Sequence, residues 1–297
     1  MTHADIIYAR LADKIIKNGV KETNARTGVQ TLRLNNQFIS LTPDIFGLPI
    51  LESKKMFWKT AIDELCWIFI KCSDNINDMA HPQIWQLWAD KDGSIGKSYG
   101  YQAGKHVAYK DKDQIITTKS QLAYVIDLLS HDTSSRQAVI DLWSPTELAA
   151  MNLPPCVMTY DFTISDNRLN LLVLQRSADL AVGVPFDILE AGLLQQMVLY
   201  EIRRRNPDLV GLRTGELSFA YGDIHIYEMH IDEIQKQLDF IGQDIRTRTL
   251  DFIEQSPEQG QRPVLKFADK SVFKMTPADF TILNYTEGPK RDFLLVK

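Results

Sequence analysis

The stretch "LQRSADLAVGVPFD", residues 174–187, places charged side chains inside an otherwise apolar run. Arg176 and Asp179 interrupt the run, and Asp187 ends it. An apolar helical pattern then follows over about residues 188–204. Charged side chains are rarely fully buried unless they are paired or take part in chemistry. These three residues are therefore the first candidates for a functional site.

The sequence before this stretch predicts a β-hairpin that brings a cysteine to the arginine. "CVMTYDFTIS" and "RLNLLVLQRS" flank Asp166 and Asn167, a pair typical of a two-residue hairpin turn. The register places Cys156 almost opposite Arg176 and Ser177. A lone cysteine is more often a small buried hydrophobe than a nucleophile. A thiolate needs nearby positive charge to lower its pKa, so the predicted pairing favours the nucleophile.

The composition indicates an ordinary globular protein. The chain has 297 residues, of which 44% are hydrophobic and 24% charged, and we expect a single α+β domain over residues 1–297. The net charge of -5 argues against a nucleic-acid partner. No apolar run is long enough for a membrane span, and the N-terminus lacks a signal-peptide core. Three cysteines fit neither a disulfide framework nor a zinc site, so we expect a cytoplasmic protein without a metal.

Hydrophobic periodicity gives a coarse order of elements. It predicts helices near 6–16, 56–72, 120–130, 188–204 and 223–238, and strands near 137–143, 216–221, 262–268 and 279–284. A second hairpin is predicted over 31–41, with its turn at Asn35 and Asn36. The polar, lysine-rich segment 100–118 is predicted to be a loop.

Several further residues are candidates for binding or catalysis. Arg26 and Arg136 lie in predicted loops, where a guanidinium suits a phosphate, although each alone is more often a solvated turn residue. Glu64 lies in an apolar helix, and buried acids tend to be paired or catalytic. His225 and Tyr227 could donate hydrogen bonds to sugar hydroxyls.

Together these motifs resemble the thymidylate synthase family. The likeness extends from "ARTG" at 25–28 to "DFTILNY" at 279–285, and includes "DELCWIF", "IWQLWAD", "SYG", "SSR", "LPPC", "QRSADLAVGVPFD" and "GDIHIY". The resemblance implies one thymidylate synthase-like domain, an α+β fold in which a mixed β-sheet packs with helices and a sheet face forms a homodimer. It also implies a one-carbon transferase. In this family a cysteine thiolate adds to C6 of a pyrimidine nucleoside monophosphate, and C5 then captures the one-carbon unit of 5,10-methylenetetrahydrofolate.

The family's site residues carry over to matching positions. Cys156 would be the nucleophile. Arg26, Arg176 and Ser177 would hold the phosphate, helped by Arg136 from the other subunit of the dimer. The resemblance therefore implies a phosphate site completed across a dimer interface.

The same resemblance assigns the sugar, the base and the folate. His225 and Tyr227 would bind the sugar 3′-hydroxyl, and Glu64 would organise water and proton transfers at the base. Asp187 would read the base and, with Asp179, belongs to the predicted catalytic set. The folate and base pockets would be lined by Trp85, Trp88, Asp179 and Gly183, with Tyr99 and Gln175 in the same polar shell.

The sequence departs from the family pattern at the base. Thymidylate synthases carry Asn where this chain has Asp187, and the relatives with Asp there are deoxycytidylate and cytidylate hydroxymethylases. Val157 replaces a His of the network around uracil O4, and Gln137 replaces the second arginine of Ser-Arg-Arg. The C-terminal "EGPKRDFLLVK" is also longer and more basic than the usual tail, which normally closes over folate.

These departures predict a (deoxy)cytidylate 5-hydroxymethyltransferase. A carboxyl group can accept from the cytosine amino group and, when protonated, can donate to N3. Three alternatives stay open: a dCMP 5-methyltransferase, an ordinary thymidylate synthase acting on dUMP, and a catalytically idle relative that binds a nucleotide or RNA.

Overall fold

The computed structural model describes residues 1–25, 27–243 and 262–296. Helix α1, His3–Asn18, begins at a capping box in which Thr2 and Asp5 bond reciprocally, and it ends at Gly19. The other helices are α2 Pro43–Phe46, α3 Trp58–Cys66, α4 Tyr99–Ala103, α5 Gln121–His131, α6 Gly183–Arg205 and α7 Ile231–Ile241. Among these described helices, none combines the length and apolar character needed to cross a membrane.

The main sheet has seven strands and is mixed. Its strands are β1 Val20–Thr23, β2 Gln30–Leu41, β5 Val139–Asp141, β6 Val157–Ser165, β7 Arg168–Gln175, β8 Ala178–Asp179 and β9 Arg213–Tyr227. They lie in the order β1-β2-β9-β7-β6-β5, and β8 pairs with β9 beyond the end of β7. Strands β7 and β8 run parallel to β9, and the remaining pairs are antiparallel. The predicted α+β fold with a mixed sheet is confirmed.

Two small hairpins lie outside the main sheet. One pairs β3 Val107–Asp111 with β4 Gln114–Thr118, and the other pairs β10 Val264–Phe267 with β11 Phe280–Leu283. The first corrects the loop predicted over 100–118, whose beginning also forms α4. The hairpin is mostly exposed, so apolar and polar residues alternate only weakly along its two strands. The hydrophobic periodicity therefore did not indicate strands.

Two further predictions are wrong. Residues 31–41 form part of the single strand β2, which pairs with β9 on both sides of Asn36 without a change of register. Asn36 does adopt the positive φ of a turn residue, at 54°, but the long partner strand keeps the chain extended. Residues 223–227 continue β9, so the helix predicted over 223–238 is confirmed only from Ile231. In both places long-range strand pairing outweighs the local signal.

The predicted hairpin over 156–177 is confirmed. Asp166 and Asn167 form its turn, both with positive φ, and β6 pairs with β7 up to Val157 and Gln175. One face of the resulting sheet is covered by helices. The opposite face leaves large apolar side chains open, with Phe38 62% exposed, Leu172 39% and Leu174 43%.

Helix α6 is bonded to the covered face of the sheet through the buried side-chain amide of Gln195. The Gln195 Nε2 donates to the Leu169 carbonyl at 2.9 Å and to the Glu216 carbonyl at 3.1 Å. The pairing of β7 with β9 shifts register between Leu169 and Leu171, which frees carbonyl groups from the ladder. Gln195 therefore supplies the donors that the irregular pairing omits.

We expect Gln195→Met to lower the free energy of unfolding by about 1–3 kcal/mol, because two buried carbonyls lose their donor. Urea denaturation measures the change. The neighbouring Gln196 is half-buried and donates to the Thr214 hydroxyl at 2.9 Å, so Gln196→Met is the matched control and should cost less. Equal losses for the two variants would contradict the role of Gln195.

Candidate active site

The site forms where the parallel pairing along β9 is interrupted. Arg176 and Ser177 separate β7 from β8, although both strands keep the same register on β9. The Arg176 N–H donates to the Cys156 carbonyl at 2.9 Å, and the Asp223 N–H in β9 donates to the Arg176 carbonyl at 3.1 Å. The predicted position of Cys156 opposite Arg176 is confirmed.

The Arg176 side chain holds the segment that precedes the cysteine. Its Nε donates to the Pro155 carbonyl at 2.9 Å, and one terminal nitrogen donates to the Pro154 carbonyl at 2.8 Å. The guanidinium also lies over the Trp143 ring, 5.4 Å from its centroid. Two backbone carbonyls and one aromatic ring therefore fix this cation beside the half-buried Cys156.

A chain of contacts links Cys156 to Glu64. The Cys156 N–H donates to the Tyr99 hydroxyl at 2.7 Å, and the Tyr99 ring meets Trp85 edge-on at 5.2 Å. The Trp85 Nε1 then donates to the Glu64 carboxyl at 2.9 Å. Trp88 packs edge-on against Trp85 at 5.6 Å, and its buried Nε1 has no partner among the described residues. Trp85, Trp88 and Tyr99 thus form an aromatic wall between Cys156 and Glu64.

Asp187, the predicted base-reading residue, lies near this series of contacts. The Gln175 Nε2 donates to the Asp187 Oδ2 at 2.8 Å. Burial raises the pKa of Asp187 to about 7, against the effect of that hydrogen bond. Burial also raises the pKa of Glu64 to about 7, opposed by its hydrogen bond from Trp85. Both carboxyls can therefore gain or lose a proton near neutral pH.

Sequence reasoning missed Glu190, whose carboxyl contacts that of Glu64. Burial is the main cause that raises its pKa well above the usual value, and the nearby Glu64 adds to it. The missed signal is its spacing. Glu190 follows Asp187 by three residues, which places both acids on one face of the predicted helix.

Asp179 lies across from His225 in the pairing of β8 with β9. Its Oδ1 accepts from the Ala181 N–H at 2.9 Å, and burial raises its pKa, opposed by the nearby His225. The buried Lys54, which sequence reasoning also missed, donates to the Ala181 carbonyl at 2.9 Å. Gly183 begins α6, and a Cβ on it would lie 3.5 Å from Asp187 and 4.0 Å from Asp179. Asp179 and Asp187 therefore flank the start of this helix.

A cleft of about 250 Å³ opens beside Arg176 and Ser177. Its lining residues are Glu22, Thr23, Asn24, Thr31, Arg33, Arg176, Ser177, Asp223 and His225. The His225 Nδ1 lies 2.8 Å from the Asp223 Oδ1, and Tyr227 packs edge-on against His225 at 5.1 Å. Asp223 is also paired with Arg33. The cleft thus presents cations, hydroxyls and an imidazole whose orientation is fixed by a carboxylate.

Of the two other predicted phosphate ligands, one lies outside the described residues and one lies away from this cleft. Arg26 lies outside the described residues. Arg136 is exposed in the segment between α5 and β5, and it does not line the cleft. The other predicted site residues lie along the contacts described above. Among the described residues, no group of three or more His, Cys, Asp or Glu side chains could hold a metal ion.

Comparison with known proteins finds similarity over nearly the whole chain. The family model described as thymidylate synthase matches residues 6–295. Thymidylate synthase 1 of Bacillus subtilis (strain 168) is 33% identical over 299 residues, covering 98% of each chain. The thymidylate synthase of Bacillus atrophaeus is 34% identical over 245 residues, covering 82% of this chain and 96% of the relative.

A solved structure supports the same relationship. The thermostable thymidylate synthase A from Bacillus subtilis aligns with a TM-score of 0.76 at 31% identity, covering 99% of this chain and 98% of that one. The fold and the site thus define an enzyme that transfers a one-carbon unit to C5 of a pyrimidine nucleotide, with methylenetetrahydrofolate as co-substrate. The chain belongs to the thymidylate synthase family.

The raised pKa of Asp187 predicts a pH-dependent effect on stability. The folded protein holds this proton more tightly than the unfolded chain, because burial disfavours the carboxylate. The stability it contributes is complete below about pH 4 and is lost as the pH rises through about 7. Since Asn cannot ionise, we expect Asp187→Asn to raise the melting temperature relative to wild type more at pH 8 than at pH 5.

Thermal unfolding at both pH values measures this difference. Asp113→Asn, in the turn of the exposed β3–β4 hairpin, is the control and should alter the melting temperature little at either pH. The same difference between wild type and Asp187→Asn at pH 5 and pH 8 would contradict the prediction.

Proposed function

We propose that this protein is a (deoxy)cytidylate 5-hydroxymethyltransferase that uses 5,10-methylenetetrahydrofolate. The observation that carries the proposal is the Asp187 carboxyl, buried at the base-reading position and held through one oxygen by Gln175. Gln175 donates to this carboxyl, so its amide is already committed to an acceptor at position 187.

Cytosine and uracil differ in the hydrogen bonds that they offer at N3 and at the 4-position. Uracil presents an N3–H donor and an O4 acceptor, whereas cytosine presents an N3 acceptor and a 4-amino donor. A protonated Asp187 can donate to N3 and accept from the amino group at the same time. An ionised Asp187 can pair with N3-protonated cytosine, which also makes C6 a better electrophile. Discrimination through buried hydrogen bonds of this kind reaches about 10⁴-fold.

The remaining roles follow from chemistry at the same site. Cys156 adds to C6, and Arg176 stabilises its thiolate and, with Ser177, binds the phosphate. Two carbonyl contacts already orient the Arg176 guanidinium, which favours a fixed geometry for both tasks. Glu64 moves protons at the base, and its pKa of about 7 suits a general acid–base group at neutral pH.

The sugar and the folate take opposite sides of the site. His225 and Tyr227 bind the 3′-hydroxyl, and Asp223 selects the imidazole orientation. The folate is assigned to the aromatic wall formed by Trp85, Trp88 and Tyr99, with Asp179 and Gly183 at the start of α6. The edge-on rings of this wall support a flat ligand there.

A homodimer completes the proposed enzyme. The open sheet face with Phe38, Leu172 and Leu174 provides the apolar centre of the interface. Arg136, exposed on its own subunit, reaches the phosphate in the partner's site, and Arg26 contributes from its own chain. Pairing through the sheet face therefore accounts for both the exposed apolar patch and the exposed arginine.

One assay separates the alternatives. The protein is incubated with dCMP, CMP or dUMP and methylenetetrahydrofolate, and product masses are read. A gain of CH2O on a cytidylate supports the proposal, whereas a gain of CH2 with dihydrofolate absorbance identifies a cytidylate methyltransferase. Turnover of dUMP alone identifies a thymidylate synthase. Nucleotide binding without any turnover identifies an idle relative.

We expect Asp187→Asn to shift the preference from cytidylate toward uridylate by at least about 10²-fold, because the amide restores an N3–H acceptor and an O4 donor. The measurement is kcat/KM for both nucleotides in both proteins. The Asp113→Asn control should keep the wild-type ratio. An unchanged ratio in Asp187→Asn would mean that the base is read elsewhere.

We expect Cys156→Ser to reduce turnover by about 10³-fold or more while nucleotide binding survives, since a serine hydroxyl is almost fully protonated at neutral pH. Steady-state kinetics and calorimetric binding of the nucleotide test this pair of outcomes. Cys72→Ser is the matched control, because Cys72 is also half-buried but ends the helical turn after α3. Substantial residual turnover in Cys156→Ser would refute the assignment.

A further inference from the structure

We propose that Glu190 is a positioning residue for Glu64: it stays protonated within a carboxyl–carboxyl pair, and its O–H donates a hydrogen bond to Glu64, which therefore faces the nucleotide as a carboxylate. The inference rests on the proposed role of Glu64 in proton transfer. It does not depend on whether the base is cytosine or uracil.

The geometry brings two acids from different helices together. Glu64 lies on α3 and Glu190 on α6, and their carboxyl groups are in hydrogen-bond contact. Glu190 also lies one helical turn beyond Asp187. The pair is therefore part of the site that contains Asp187 and is linked to Cys156 through Tyr99 and Trp85.

Two carboxyl groups in contact and shielded from water cannot both ionise at neutral pH. The titratable groups that most affect the pair, or are most affected by it, are acidic: Asp63 on α3, Asp187 on α6 and Tyr160 on β6. Since none of them supplies positive charge, nothing at these positions offsets a second negative charge. The pair therefore retains one proton.

The hydrogen bonds indicate which oxygen carries that proton. Glu64 receives a donor from outside the pair, the Trp85 Nε1 at 2.9 Å. The Glu190 Oε1 is buried and has no hydrogen-bond partner among the described residues. A carboxylate is stabilised by donors, whereas a carboxylic acid needs fewer. The negative charge therefore resides on Glu64, and the proton stays on Glu190.

This arrangement sets what Glu64 can do during turnover. A proton released at the nucleotide or from an adjacent water moves onto the Glu64 carboxylate, and the net charge of the pair changes from -1 to zero. The Glu190 O–H bond is not broken in this step. Without the donor, Glu64 would bind its own proton more tightly and would be blocked over part of the neutral range.

The test compares two substitutions of nearly equal size. In Glu190→Gln the amide N–H still donates to Glu64, whereas Glu190→Leu fills the same space without a donor. We expect Glu190→Leu to move the acidic limb of the kcat–pH profile to higher pH by about one unit, and Glu190→Gln to leave that limb in place. The profile uses whichever nucleotide the wild-type enzyme converts, so an error about the base is detected separately.

Glu201→Gln is the control for a buried glutamate on the same helix. Glu201 accepts from the Val272 N–H and the Ser271 hydroxyl at 3.0 Å, away from the site, so its loss should lower stability without moving the limb. A purely structural role for Glu190 would lower kcat in both Glu190 variants with an unshifted profile. That result, or equal shifts in the two variants, would overturn the proposal.

A second measurement does not require turnover. Infrared spectra of protein labelled with ¹³C at glutamate carboxyls, recorded at pH 7.5, should contain a protonated-acid band that Glu190→Gln loses and Glu201→Gln keeps. Labelling glutamate alone excludes the signal of Asp187. Absence of this band in the wild-type protein would overturn the proposal even if the enzyme were idle.

Discussion

The placement of the nucleophile depends on Arg176 leaving the sheet. At this residue β7 stops, its N–H bonds to the Cys156 carbonyl, and its side chain reaches back to the two prolines before the cysteine. The carbonyl of the same residue accepts from β9, so β8 resumes in register and presents Asp179 opposite His225. One interrupted strand thus positions the thiol, the guanidinium and the start of α6 together.

The second constraint is the burial of several acids in one small region. Asp179, Asp187, Glu64 and Glu190 all lie where burial raises the carboxyl pKa. Burying a charge without a partner is expensive, so such groups either neutralise or are compensated. Lys54 and His225 compensate Asp179, whereas the other three have only neutral donors or each other. The site is therefore suited to a ligand that supplies hydrogen-bond donors or positive charge.

The sequence predicted the parts of the molecule that depend on short-range rules. The turn at Asp166 and Asn167 defined a hairpin register, and that register brought Cys156 to Arg176. Prediction from the sequence failed at Asn36 and at residues 223–227. There the pairing of β2 with β9 joins segments almost two hundred residues apart, and it outweighs the local turn and helix signals. Glu190 was missed for a related reason: its partner Glu64 lies on another helix, and only packing of α3 on α6 reveals the pair.

The fate of the one-carbon unit is a matter of protons as well as of base recognition. The two possible routes, hydride transfer from folate and attack by water, both remove the C5 proton of the nucleotide. Each then releases a second proton, from N5 of tetrahydrofolate as it becomes dihydrofolate or from the attacking water. The routes differ in where that second proton is released, because the attacking water lies beside the exocyclic carbon. In the proposed enzyme, Glu64 would accept this proton, and Trp85 already donates a hydrogen bond to its carboxyl group. In the C-terminal segment, Arg291 donates to the Ser53 carbonyl at 3.0 Å, and Phe293 packs on His230 and Lys54. Lys54 also interacts with Asp179, so these contacts bring the tail to the part of the site that is assigned to folate.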